Sequence, residues 1–205
     1  MTIFVMLFQK VYFLEQWEEI IMGNQKELVK CPEEAARSLI GKELSYGGRT
    51  VIITETEAYG DEDPACYGVR YGRTKNTAAL FVPGGNVFVY AGMLMITVDD
   101  DSEKPKNVLI RAGKEKGTGK LIYGPCRLVD FLGIKKSISN GKKLGEESGV
   151  FIAGEGCMPC TASKRGKLNA DKIAKDYERR YKKGKAYSKS LTDEYVNKKW
   201  RFTAE

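Results

Sequence analysis

Three side chains at the end of one predicted strand carry the first sign of chemistry. Thr50 to Tyr59 reads as a strand on which Val51, Ile53, Glu55, Glu57 and Tyr59 share a face under a two-residue period. That face starts apolar and ends in two carboxylates and a phenol. Burying an unpaired carboxylate is costly. Glu55 and Glu57 therefore either find hydrogen bonds, line a cleft, or mark a strand end that simply reaches solvent. The chain contains no histidine. That removes every Ser-His-Asp and Cys-His mechanism and every His-ligated zinc site, so a general base has to be Asp, Glu, Lys, Tyr or Cys. The five cysteines (Cys31, Cys66, Cys126, Cys157 and Cys160) are odd in number and scattered, which is no secreted disulfide framework. They predict a reducing, cytoplasmic setting. Cys157-Met158-Pro159-Cys160 is a lone C-x-x-C. Neither a second cysteine pair nor a histidine completes a four-ligand zinc site, so it reads as two free thiols in a Gly-rich turn, and no metal is expected.

The elements around that strand follow from local signals. Pro32 to Ile40 predicts a helix, with Pro in its first turn, acids behind it and Gly41 as its stop. Lys42 to Tyr46 predicts a strand and Gly47-Gly48 a hairpin turn. Gly60 to Asn76 reads as a polar loop. Val87–Tyr90 and Met93–Val98 predict a tight hairpin around Ala91-Gly92. Asn107 to Ala112 reads as an apolar strand and Gly113 to Lys120 as a loop. Gly124 to Gly133 predicts a short helix with Pro at its start and Gly at its end. Ser148 to Ile152 is expected as a last strand and Ala170 to Tyr181 as a helix. Mixed strands and helices without a repeat or linker predict one α+β domain.

Composition narrows the partners. The chain has 205 residues, 42% hydrophobic and 30% charged, with net charge +7, as for a globular protein that favours polyanions, nucleic acid first and anionic membrane second. Met1 to Phe8 is apolar but too short for a span, and no basic n-region precedes it. Glu18-Glu19, ahead of Met22, reads as a purine-rich ribosome-binding sequence translated into protein. Residues 1–22 are thus expected to be a peripheral or non-native extension, or else a true amphipathic helix, with residues 23–205 as the domain. The tail interleaves Lys182, Lys183, Lys185 and Lys189 with Tyr181 and Tyr187, as a path for a nucleic-acid strand or as a solvated face.

An ordered set of motifs ties these pieces together. Glu55-Thr56-Glu57-Ala58-Tyr59 is followed by Asp63-Pro64-Ala65, Gly72-Arg73-Thr74-Lys75-Asn76, Phe81 and Pro83-Gly84, and Val87-Phe88-Val89-Tyr90 with Gly92-Met93. Then come Asn107-Val108-Leu109-Ile110-Arg111-Ala112, Gly124-Pro125-Cys126-Arg127-Leu128 and Arg201-Phe202. From about Glu34 to Phe202 this resembles, collinearly, the alkyladenine (3-methyladenine) DNA glycosylases. The resemblance implies a single α+β domain on a curved antiparallel sheet with helices around it. It implies a monofunctional hydrolase acting in base excision repair on alkylated purines in double-stranded DNA. It requires no cofactor and acts as a monomer, off the membrane, with the nucleoid of a bacterial or archaeal cell. It implies Glu57 as the base that activates water, with Arg111 beside it. Tyr59, Tyr67 and Tyr90 become walls for a flipped base, and Arg73, Lys75 and Arg127 grips on phosphates.

The chemistry suits those residue types. A base inside a duplex is out of reach and has to be extruded. Alkylation at a purine ring nitrogen makes the base cationic, so it stacks on tyrosine faces and leaves readily. One carboxylate can then suffice where ordinary glycosidases use two.

Three positions depart from the family pattern. Tyr67 stands where the family has a histidine. Ala91 stands where a tyrosine wedges into the gap left by the base, leaving Met93 or Leu94 as apolar replacements. The family's guanine-excluding asparagine falls at Thr97 or Val98. Two other readings stay open, a binder of alkylated DNA that does not cut it and a basic RNA-binding module.

Overall fold

The computed structural model describes residues 31–99, 103–156, 158–166, 168–180 and 189–205. The expected extension at residues 1–22, the basic stretch 181–188 and Cys157 lie outside them. Helix α1 (Pro32–Ser38) starts on Pro32, has Glu33 and Glu34 in its first turn and Arg37 in its last, and buries Ala35 and Ala36. Strands β1 (Glu43–Tyr46) and β2 (Arg49–Tyr59) form the predicted hairpin. After β2 come α2 (Tyr67–Tyr71), a single 3₁₀ turn at Ala78–Leu80, β3 (Val87–Tyr90), β4 (Met93–Thr97), β5 (Asn107–Glu115) and β6 (Leu121–Tyr123). The chain continues through α3 (Pro125–Leu132), α4 (Lys136–Ser139), β7 (Phe151–Ala153), β8 (Cys160–Ser163), α5 (Ala170–Arg180), α6 (Lys189–Asn197) and β9 (Arg201–Ala204).

Among the described residues one antiparallel sheet joins nine strands in the order β3-β4-β5-β2-β1-β7, with β6 on β5 and with β9 between β2 and β8. Long β2 and β5 are its spine. The far edge of β2 is shared by β1 (Arg49–Ile52) and then β9 (Glu55–Glu57). The far edge of β5 is shared by β4 (Asn107–Ile110) and then β6 (Ala112–Lys114). The single α+β domain built on a curved antiparallel sheet is thus present, with six helices packed around it among the described residues. No described helix is long and apolar enough to cross a membrane.

The two faces of the sheet do different work. Val87, Val89, Leu94, Ile96, Val108, Ile110 and Ala58 point into the main core, joined by α1 and α3 through Ala35, Ala36, Leu128 and Val129. The alternate residues Phe88, Met95 and Leu109 form a second cluster on the opposite face, flanked by Tyr59, Tyr67, Tyr90 and Met93. The expected single face of β2 is broken. Val51 and Ile53 lie in the main core, yet so does Ala58, while Tyr59 belongs to the other cluster. The reason is a pair of register shifts around Glu55, where β2 and β5 both leave the regular ladder. Beyond that kink, Glu57 pairs with Leu109 and Tyr59 with Asn107. The carboxylate and the phenol are thereby swung off the core face on which Val51 and Ile53 sit.

Three other expectations are corrected. The loop from Gly60 to Asn76 contains α2, which begins after Cys66. The strand begun at Asn107 runs to Glu115 and returns as β6, so Gly113 lies in a hairpin arm rather than in a loop. The strand expected at Ser148–Ile152 is β7, Phe151–Ala153, and it is not the last, because β8 and β9 follow. The basic, Tyr-rich tail, for which no element was expected, contains α6 and closes on the sheet as β9.

Candidate active site

Glu57 sits at the kinked end of β2 and is 1% exposed. A carboxylate so buried needs donors on it, and three reach it. Tyr59 Oη donates to Oε2 at 2.9 Å, Arg111 Nη1 donates to Oε2 at 3.2 Å, and the Gly166 N–H donates to Oε1 at 3.3 Å. Arg111 also donates from Nε to Glu55 Oε1, and Arg201 Nε lies 2.9 Å from the same oxygen. Two carboxylates and two guanidiniums thus alternate across β2, β5 and β9. Burial works against the charge on Arg111, but Glu57 and Glu55 outweigh it and hold its pKa above the usual arginine value. Burial, followed by the neighbouring Glu57 charge, pushes the Tyr59 phenol well above its ordinary pKa, so it stays a donor.

Beside this cluster lies a cavity of about 420 Å³. Tyr59, Tyr67 and Tyr71 line it, together with Met93 and Met95 from β4 and Asn107 and Leu109 from β5. Its roof is the N-terminal half of α5, which contributes Ile173 and Lys172. That helix starts where Asn169 Oδ1 accepts from the Lys172 N–H at 2.8 Å. Glu57 and Arg111 are not in the lining; Glu57 is joined to it through Tyr59, a lining residue whose hydroxyl donates to Oε2. Tyr90 is not in the lining. Its ring meets Tyr67 edge-on at 5.1 Å between centroids and stacks on Phe88 at 5.9 Å. Tyr67 stacks on Tyr71 at 5.8 Å. Burial, and then the neighbours Tyr71 and Tyr90, raise the Tyr67 pKa.

The structure thus brings together Glu57, Arg111, Tyr59, Tyr67 and Met93, with Tyr90 one ring further out. The remaining expected residues stand apart at the surface. Arg73 is exposed and lies 3.7 Å from Glu103, while Lys75 and Arg127 are also exposed. The hairpin turn places Ala91 at φ +50° and Gly92 at φ +73°, both exposed. Leu94 is fully buried in the main core, because its parity turns it away from the cavity, so it is removed as an alternative to Met93. Thr97 and Val98 do not reach the cavity either. Thr97 Oγ1 donates to the Pro83 carbonyl at 2.8 Å, and Val98 lies in the core.

Several site residues gave no sequence signal. Arg165 is fully buried with Asp63, its ion-pair partner, and donates to the carbonyls of Ala58 at 3.0 Å and Tyr195 at 2.8 Å. Its guanidinium lies 4.6 Å from the Tyr59 ring centroid. It anchors the segment whose Gly166 N–H reaches Glu57. Arg70 pairs with Asp176 at the cavity wall, joining α2 to α5. Arg201, quoted only as part of a motif, and the cavity side of α5, expected only as a helix, were given no role, because each acts through a contact between segments far apart in the chain. Among the described residues no group of three or more His, Cys, Asp or Glu could hold a metal ion.

A curled antiparallel sheet carrying a buried carboxylate–guanidinium cluster next to a tyrosine-lined cavity defines an α+β protein with one candidate site. Residues 26–182 match the family described as methylpurine-DNA glycosylase. The chain belongs to that family. Relatives named as candidate 3-methyladenine DNA glycosylases include one from Rickettsia felis, 43% identical over 110 residues, which covers 51% of this chain and 60% of the relative. Another, from Rickettsia peacockii, is 40% identical over 123 residues, covering 57% of this chain and 66% of the relative. The chain therefore spans about three-fifths of the length of the curated relatives it matches.

Proposed function

We propose that the protein is a monofunctional DNA N-glycosylase that hydrolyses the bond between deoxyribose and an alkylated purine such as 3-methyladenine. The observation that carries this reading is Glu57, a carboxylate buried with an arginine next to a tyrosine-lined cavity. The extruded base enters between Tyr59 and Tyr67, with Tyr90 bracing Tyr67 from behind. A cationic purine is stabilised there by the ring faces, at about 0.5–2 kcal/mol each. Arg111 and the Gly166 N–H fix the Glu57 carboxylate, which has acceptor sites to spare for a water. Glu57 takes a proton from that water as its oxygen bonds to C1′. The C1′–N9 electron pair leaves with the base, which departs neutral because alkylation had already made it cationic. The carboxylate also stabilises the developing oxocarbenium.

Arg73, Lys75 and Arg127 are proposed to hold phosphates of double-stranded DNA. Met93 is proposed to press on the strand from the short hairpin. The test is incubation with N-methylated DNA followed by chromatography of the supernatant. Free 3-methyladenine and an alkali-labile abasic strand are expected, without a borohydride-trapped adduct, since no amine takes part. DNA bound without base release would make the protein a lesion binder instead.

A further inference from the structure

The floor of the cavity carries a polar group that the water-activating cluster does not use. Asn107, first residue of β5, is 2% exposed and lines the cavity. Its carboxamide is held by a short relay. The Nδ2 group donates to Cys66 Sγ at 3.4 Å, and Cys66 Sγ donates to the Pro105 carbonyl at 3.0 Å. Burial pushes the Cys66 thiol up to about 12, so it keeps its proton at any working pH. With that proton committed to Pro105, the sulfur can only accept from Asn107. The amide is thereby fixed with its NH₂ group towards Cys66 and Oδ1 on the other side. Among the described residues no donor reaches Oδ1. Of the other polar side chains of the wall, Arg70 pairs with Asp176 and Asn169 caps α5.

The register places this acceptor in relation to the cleavage chemistry. Asn107 pairs with Tyr59, and Leu109 pairs with Glu57. Asn107 and Leu109 share a face of β5 two residues apart, roughly 7 Å along the strand. A purine lying over Tyr59 with its glycosidic nitrogen towards Glu57 reaches Asn107 with its far edge. An acceptor that lines a cavity and has no donor from the protein rewards a ligand that brings one and disfavours a ligand that brings a second acceptor.

We infer that Asn107 is the residue that selects the base, its Oδ1 accepting a hydrogen bond from the exocyclic amine at the purine 6-position. Adenine-derived bases carry that amine. Hypoxanthine carries a carbonyl oxygen at the same place and is disfavoured. The inference rests on the glycosylase reading for its biological sense, but it concerns the pocket alone and is tested separately. Cys66 is a positioning residue, because it sets which end of the amide faces the base.

The experiment has two arms, run on wild type, Asn107→Leu and Asn107→Ser, with thermal melting to establish that each variant folds. The first compares kcat/KM for release of 3-methyladenine and of hypoxanthine from duplex DNA. The second measures binding of free adenine and free hypoxanthine by calorimetry. A wild-type preference for the 6-amino base that falls by roughly tenfold in both variants supports the inference. Cys66→Ser, which rebuilds the relay, is expected to keep the preference, and Cys66→Ala to lose part of it. An unchanged preference in the Asn107 variants, or an equal loss on both bases, overturns the inference even if wild type releases bases. If wild type releases neither base but the calorimetric preference shifts as stated, the selecting role of Asn107 holds and the catalytic reading fails.

Discussion

Replacing Arg165 with methionine is expected to be among the most damaging single changes behind the site. The arginine and Asp63 are both fully buried, and Arg165 also satisfies the carbonyls of Ala58 and Tyr195. Arg165→Met keeps most of the volume but strands the Asp63 carboxylate without its cation. Removing one partner of a buried pair costs about 3–5 kcal/mol. At roughly 2–4 °C per kcal/mol for a chain of this size, Tm falls by about 6–20 °C. Urea denaturation at constant m-value measures the difference directly. The double variant Arg165→Met/Asp63→Leu separates charge from hydrogen bonding. It removes the stranded carboxylate but leaves two backbone carbonyls short of a donor, at about 1–3 kcal/mol each. It is therefore expected to cost less than the sum of the single changes by roughly 0.5–3 kcal/mol. A single variant that loses under about 1 kcal/mol, or a double variant equal to the sum, would refute the claim that this pair is a closed, desolvated unit.

Other consequences follow from close contacts and exposure. Gly68 in α2 packs so tightly that a Cβ there would lie 2.1 Å from Pro105 Cβ; Gly68→Ala is expected to destabilise by about 1–3 kcal/mol, read from the urea midpoint. Cys31 and Cys126 are exposed and Cys66 is buried, its pKa pushed to about 12. Iodoacetamide at pH 8 is thus expected to modify the first two in the native protein and to spare Cys66 until the chain unfolds, as peptide mass mapping would show. Arg127→Ala and Lys75→Ala are each expected to lower the slope of log K against log salt for duplex DNA by about 1, with similar weakening on any sequence; an unchanged slope would remove that residue from the phosphate path.

The parts of the fold that were legible in the sequence depend on neighbours in the chain. Pro32 and Gly41 frame α1, Ala91-Gly92 forces the β3–β4 turn, and Gly133 at φ +78° ends α3. The face of Glu57 was misread because alternation holds only in a regular ladder, and the register shifts at Glu55 need β5 to be seen. Helix α2 was hidden in a stretch of five residues with no apolar period, and its place is set by Gly68 against Pro105. Glu57, Arg111 and Tyr59 were found through an ordered resemblance. Arg165, Arg201 and Asn107 were not assigned a role, since each gains one only across a long loop in the chain. A buried arginine beside an aspartate is invisible until Asp63 and Arg165, far apart in sequence, are packed together.

The central claim is that Glu57 is the group that activates water. Single-turnover release of 3-methyladenine from a duplex, measured for wild type and Glu57→Gln at equal and saturating protein, tests it most directly. The amide keeps the shape and the cavity but cannot take the proton. The account predicts a rate lower by roughly 10²–10⁴-fold, with affinity for the alkylated duplex unchanged within about a factor of three. Release by Glu57→Gln at close to the wild-type rate would contradict it.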